Sequence, residues 1–293
     1  MTTAELIVLV VQASILLLVF ELGLHATLAD ATSLLRRPGL LLRSLVAMNV
    51  VVPFCAALLA ATFALHFPVK VALLLLSLSP VPPILPGKQL RLGGSASYIY
   101  GLLVAAALCS IVLAPLGLQI LAWIFDREAQ TPAGVIAKVV FTSVIVPLGV
   151  GMAVRHFAPA FAARIAPMTA RVGMVLLVAG LLPIVYSAWP GIVSLVGNGT
   201  IVAIAAVILV GLFAGHTLGG PEPEDRAVLA IASSMRHPGV ALAIAKGLFP
   251  EEKLVFAAVL LFAVVNLIVT IPYVARCKRR VVTVAGGEAT VRR

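Results

Sequence analysis

The chain has 293 residues, 62% of them hydrophobic and only 11% charged, with a mean hydropathy of +1.16. Soluble domains carry roughly 25% charged residues, so composition excludes a soluble globular protein and indicates an all-α polytopic membrane protein bound by the lipid bilayer. The net charge of +10 does not indicate a nucleic-acid partner, because the basic residues are scattered singly instead of forming a stripe with aromatics.

Punctuation by Pro, Gly and charge divides the sequence into nine apolar blocks, approximately 4 to 27, 39 to 64, 69 to 87, 95 to 124, 133 to 155, 166 to 187, 192 to 215, 226 to 247 and 253 to 275. A spanning helix needs about 20 apolar residues, so each block is read as one span. The first carries Glu5 and no Lys or Arg at its start and is longer than the apolar part of a secretory signal, which marks it as a retained span. Together the blocks form a single transmembrane domain over residues 1–280, followed by a basic cytoplasmic tail, 281–293. Cys55 and Cys109 fall inside blocks and Cys277 lies beyond the ninth, which gives neither a disulfide framework nor metal-ligand spacing.

Orientation follows from charge. With the N-terminus outside, one side collects fifteen basic residues, among them Arg36, Arg37, Lys88, Arg164 and Arg279, and the other keeps five: Lys70, Arg127, Lys138, Lys246 and Lys253. The positive-inside bias therefore places the N-terminus outside and the C-terminus in the cytoplasm of a multi-pass cell-membrane protein.

Two blocks are interrupted by proline. The third contains SPVPPILPG from Ser79 to Gly87, and the eighth contains SSMRHPG from Ser233 to Gly239. Pro80 precedes Pro115 by 35 residues and Pro238 precedes Pro272 by 34, so spans 1 to 4 (repeat 1, about 4–124) correspond to spans 6 to 9 (repeat 2, about 133–275). The lone fifth span makes the second copy inverted. Inverted repeats with two discontinuous helices are the sequence pointer to a carrier's binding site, because freed backbone groups are tolerated at membrane depth only where they meet protein or line a cavity.

The stretches FPVKVALLLLSLSPVPPILPGKQLRLGGSASYIYGLLVAAAL and GLFAGHTLGGPEPEDRAVLAIASSMRHPGVALAIAKGLFP resemble the bile acid:sodium symporter family and its wider superfamily of arsenite and organic-anion carriers. The resemblance implies a panel domain of spans 1, 5 and 6 and a core domain of spans 2 to 4 and 7 to 9, whose broken third and eighth spans cross near the midplane. In the family an eighth-span motif of the type E-x-G-x-Q-N-x-G-L-A holds sodium. Aligned on Gly239-Val240-Ala241, it places Ala232 at the carboxylate, Arg236 at the Gln and His237 at the Asn. The third-span Ser-Asn ligand pair corresponds to Leu85-Pro86, and in the second span Met48 and Asn49 stand near Pro53 where the family often has Gln. The fold carries over and the usual sodium sites do not. No cofactor is expected, and H⁺ or Na⁺ is left open as the coupling ion.

Arg236 is the strongest single candidate, since an arginine mid-span needs a partner or a wet cavity. It could contact an anion or clamp freed carbonyls such as that of Ser234, which Pro238 deprives of its helical donor. His237 precedes a proline, so it either shapes the break or exchanges protons. Pro80, Pro82, Pro83 and Pro238 hold backbone open; Ser79, Ser233 and Ser234 either line a cavity or bond back to their own helices. Asn49 and Asn266 each need hydrogen-bond partners in hydrocarbon, from another helix or from substrate. Lys88 follows the first break and either sets topology or attracts an anion. Tyr98 and Tyr100 are expected as interfacial anchors, and Glu21 and His25 as a polar pair four residues apart.

No H-E-x-x-H, G-x-S-x-G or P-loop pattern occurs, so an enzyme is not expected. The leading function is a secondary transporter of a small organic anion by alternating access. The alternatives are an ordinary sodium-coupled symporter and, from another class, a non-transporting sensor or intramembrane enzyme. For orientation the expected outcome is that membrane-impermeant thiol reagents miss native Cys277 in intact cells yet label an Asp126→Cys variant; the reverse pattern would overturn the topology.

Overall fold

The computed structural model describes residues 3–82, 85–90, 93–124, 133–249, 251–252 and 254–291. Among them there are helices and no strands. Helix α1 (Thr3–His25) leads to a short α2 (Leu28–Thr32), whose N-terminus is closed by a capping box between Thr27 and Asp30, and then to a 3₁₀ turn, Ser33–Arg36. Helices α3 (Pro38–Val46) and α4 (Val52–Thr62) are joined through a π-helical turn, Ala47–Val51. Helices α5 (Phe67–Leu78) and α6 (Leu85–Leu90) flank the first break, and α7 (Ala96–Ile124) follows.

The second half repeats some of these devices. Helices α8 (Ala133–Val140) and α9 (Val146–Phe157) are joined through a π turn, Phe141–Ile145, that ends two residues before Pro147, just as the first ends two before Pro53. Helix α10 (Pro159–Ser194) reaches α11 (Thr200–Leu218) by a turn in which Gly197, Asn198 and Gly199 all have positive φ. Helices α12 (Pro223–Ser234) and α13 (Pro238–Leu248) flank the second break, and α14 (Leu254–Val291) closes the described chain.

Seven of these helical stretches are long and apolar enough to cross a bilayer, and they coincide with seven of the nine expected blocks. The remaining two blocks, the third and eighth, are pairs of shorter helices around the proline breaks. They are also the innermost parts. Val71, Ala72, Leu73, Leu75 and Leu76 on α5 and every residue from Ala227 to Ser234 on α12 are buried, as expected of helices apolar around their whole circumference. Helix α10 is the opposite case, with most of its surface exposed.

Two sets of glycines let backbones touch. A Cβ on Gly23 of α1 would lie 2.3 Å from the Leu148 carbonyl oxygen, and one on Gly151 of α9 would lie 2.3 Å from that of Phe20, so these helices meet main chain to main chain. Helix α1 packs chiefly along α9 and α10. Gly211 and Gly215 of α11 and Gly219 at its C-cap recur every four residues against α12, where a Cβ on Gly215 would sit 2.4 Å from the Ala230 Cα and one on Gly211 2.7 Å from the Ser233 carbonyl oxygen. Small residues at this spacing substitute close van der Waals contact for the hydrophobic effect, which is absent between helices in lipid.

Several expectations need correction. Tyr98 and Tyr100 are buried and not at an interface, and Tyr98 shares a 2.9 Å hydrogen bond with Ser44 of α3 that ties the two helices together. Helix α10 is longer than the sixth block, because Pro159 sits at its first turn where no N–H is needed. Helix α14 continues through residues assigned to a tail. Arg91, Asp126, Arg127, Lys253, Arg292 and Arg293 lie outside the described residues.

The glycine contact generates a test. Gly215→Leu should lower the unfolding midpoint in detergent by the equivalent of about 1–3 kcal/mol, the usual cost of overpacking. Gly149→Ala, whose Cβ would meet nothing within 4 Å, should not lower it.

Candidate functional site

Each proline in the interrupted spans removes an N–H and leaves a carbonyl four residues back without its helical donor. In hydrocarbon every such group must find an internal partner. The structure satisfies them by joining the two breaks. The His237 backbone N–H donates to the Pro80 carbonyl at 2.9 Å, and Arg236 reaches past it with both terminal nitrogens. Nη1 donates to the Ser79 carbonyl at 3.2 Å and Nη2 to the Met48 carbonyl.

Met48 owes its free carbonyl to the π turn, which shifts the hydrogen-bond register by one residue, and to Pro53, which has no N–H to offer. One guanidinium thus links α3–α4, the α5–α6 break and the α12–α13 break. Arg236 is only 5% exposed, and neither the Glu21–His25 nor the Arg37–Asp225 ion pair involves it. Carbonyl dipoles meet its charge.

The Ser234 carbonyl, anticipated as a target for Arg236, has a different partner. Asn266 of α14 donates to it from Nδ2 at 2.7 Å, a bond that links α14 to the end of α12. His237 is the N-cap of α13: its Nδ1 accepts from Gly239 N at 3.1 Å and from Val240 N at 3.4 Å. With Nδ1 an acceptor, the neutral imidazole carries its hydrogen on Nε2.

The serines divide. Ser79 Oγ donates back to Leu75 O at 2.8 Å and Ser234 Oγ to Ile231 O at 3.0 Å, which is local bonding within their own helices. Ser233 Oγ, Arg236 Nε and His237 Nε2 are buried without a hydrogen-bond partner. The eighth block therefore concentrates three unused polar atoms within five residues, and all three can donate.

Of the other sequence candidates, Pro80, Pro82 and Pro238 border the breaks, and the Pro82 carbonyl accepts from Leu85 N at 3.1 Å. Pro83 lies outside the described residues. Asn49 is half-buried in the π turn, where its neighbour's carbonyl and not its amide meets Arg236. Lys88 is half-buried on α6, and none of the hydrogen bonds at the crossing involves it. Glu21 and His25 pair at 3.2 Å on α1. Gln89 was missed: buried on α6, it donates to the Val228 carbonyl of α12 at 2.7 Å and fastens one half-helix to the other. A polar residue just after a broken span was its one sequence cue.

A multi-pass helical protein whose two discontinuous helices meet through main-chain and arginine bonds has the build of a transporter. The sequence pattern of the sodium bile acid symporter family matches residues 13–195. That is more than half of the chain, and the protein belongs to this family, whose members are transporters. The match includes the first break and stops short of the second. No curated protein matches the chain significantly.

Asn266→Leu should cost about 1–3 kcal/mol by stranding the Ser234 carbonyl. Adding Pro238→Ala should recover part of that loss, because residue 238 then regains the missing donor. Unfolding midpoints of the two single variants and the double variant in detergent test this, and additive losses would show that Pro238 does not control the Ser234 carbonyl.

Proposed function

We propose that the protein is a secondary carrier that moves a small organic anion by alternating access, at the crossing of the α5–α6 and α12–α13 breaks, and that it does so without sodium. In this reading the chain has nine spans in two inverted repeats, oriented N-out and C-in in the cell membrane. Helices α1, α8–α9 and α10 form the panel and the remaining spans the core. The packing of α1 along α9 and α10 supports that division. The observation that carries the reading is the bonding of the two breaks through His237, Arg236 and Pro80.

Anion chemistry is supported by the unused donors. Arg236 Nε–H, His237 Nε2–H and the Ser233 hydroxyl suit a ligand rich in acceptors, such as a carboxylate or sulfonate, and a buried guanidinium supplies the charge. The same residues argue against sodium. Ala232 offers no carboxylate, and Arg236 already occupies the Met48 and Ser79 carbonyls, the kind of oxygen ligand that a hard cation requires. Two like charges about 4 Å apart repel by roughly 4 kcal/mol at an effective dielectric of 20, so Na⁺ would be driven out. Membership of a family named for sodium coupling favours the second reading, an ordinary sodium-coupled symporter.

Uptake of labelled bile acids, keto acids and sulfonates into liposomes separates the two. Equal uptake when sodium is replaced by potassium or choline is the expected result, with Arg236→Gln reducing it at least tenfold. Uptake abolished by that replacement would return the chain to the sodium-coupled symporters. An absence of uptake for every anion tested would favour a non-transporting sensor.

A further inference from the structure

Helix α10 carries a second feature, independent of the crossing. Its inner face is made of small residues: Ala162 and Ala166 lie in the cluster around Leu24 of α1, and Gly173 and Gly180 lie against Leu18 and Val11. The opposite stripe, at spacings of three and four, is exposed and changes character along its length. It begins with Phe161, Arg164, Met168 and Arg171, continues through Val175 and Leu182, and ends at Tyr186 and Trp189. Met168 is 69% and Tyr186 85% exposed.

The spacing fits a bilayer. At 1.5 Å per residue, Arg171 and Tyr186 are about 22 Å apart along the helix and Arg164 and Trp189 about 38 Å, which bracket a hydrocarbon thickness of about 30 Å. Tyr and Trp belong at one headgroup boundary. The two arginines, two turns apart on the same face, lie toward the other, where long basic side chains can extend to reach headgroup phosphates.

Charge favours an anionic partner there. The chain has no Asp or Glu between Glu128 and Glu222. The acids on neighbouring elements are engaged: Glu21 pairs with His25, and Asp30 accepts from Thr27 at the start of α2. Arg155 is half-buried and belongs to α9, so it is not part of the stripe.

The geometry points to a binding site for an anionic phospholipid on the outer face of α10, with the headgroup phosphate between Arg164 and Arg171 and the acyl chains along Val172, Val175 and Leu182. Such a lipid covers the least buried of the seven long apolar helices. Two basic residues near a membrane surface enrich an anionic lipid by up to roughly thirtyfold over a neutral one.

The full-length protein in nanodiscs of mixed phosphatidylglycerol and phosphatidylcholine tests this by native mass spectrometry of retained lipid. The wild type should retain phosphatidylglycerol preferentially. Arg164→Gln with Arg171→Gln should cut that retention at least fivefold and leave phosphatidylcholine unchanged, and Lys at both positions should restore it. Arg276→Gln, an exposed basic residue elsewhere, should have no effect. Equal retention by the glutamine double variant would overturn the site, as would an equal loss in Arg276→Gln. A second copy of the chain on this stripe, seen as a dimer that the double substitution disperses, would also overturn the lipid assignment.

Discussion

A broken helix inside a bilayer has carbonyl oxygens that water cannot reach, and the core of this protein is organised around satisfying them. Arg236 takes those of Ser79 and Met48, the His237 N–H takes that of Pro80, and Asn266 takes that of Ser234. The energetics are plausible only as a set. Insertion scales assign an arginine at mid-membrane about 2.5–3.5 kcal/mol, and a hydrogen bond to a charged group returns about 1.5–3 kcal/mol. Two such bonds offset the insertion cost and remove two orphan acceptors as well. Removing the arginine alone would leave both carbonyls unsatisfied, which is why it cannot be regarded as an ornament on an otherwise stable break.

The rest of the packing holds that junction in register. The glycine stripe of α11 brings α12 to backbone contact as far as Ser233, immediately before the second break. Gln89 fastens α6 to α12 on the far side of the first. Helices α1 and α9 form their own glycine contact away from the crossing, with α10 alongside. One group of helices is thus bonded through polar groups deep in the protein and the other through close apolar contact, and a sliding boundary between them would break few hydrogen bonds. Under the proposed alternating access, rigid-body rocking around a fixed site would use such a boundary.

How much of this could be read from the sequence depends on where the chemistry resides. Proline has one unambiguous consequence, the loss of a donor, so both breaks, and the need of Arg236 for partners beside one of them, were readable from residues alone. The seven long spans were readable from hydropathy. The partners of Arg236 were not, because they are main-chain carbonyls: the π turn that frees Met48 has no side-chain signature beyond Pro53, and assigning Arg236 to Ser234 was a reasonable local guess that Asn266, thirty-two residues further on, pre-empts. Tyr98 and Tyr100 were misplaced because an aromatic beside a loop resembles an interface residue until its burial, and for Tyr98 its bond to Ser44 of α3, is known. The family pattern matches up to residue 195, so it bears on the first break and leaves the second, where Ala232, Arg236 and His237 depart from the expected motif, to be argued from its own chemistry.

His237 shows how far that chemistry reaches. As the N-cap of α13 its Nδ1 accepts from two backbone amides, an acceptor role that only the form lacking a proton on Nδ1 can fill. Adding a proton there would evict the ring from the cap, expose two amide donors at the helix start, and place a second positive charge one residue from Arg236. The lost cap alone costs about 1 kcal/mol, and the adjacent like charge adds to it. A proton carrier that must dismantle its own helix terminus with each cycle is a poor exchanger. The same ring with its hydrogen held on Nε2 is a good fixed donor. The arrangement therefore makes His237 the fixed cap of α13, with one buried donor to spare on Nε2 beside Arg236.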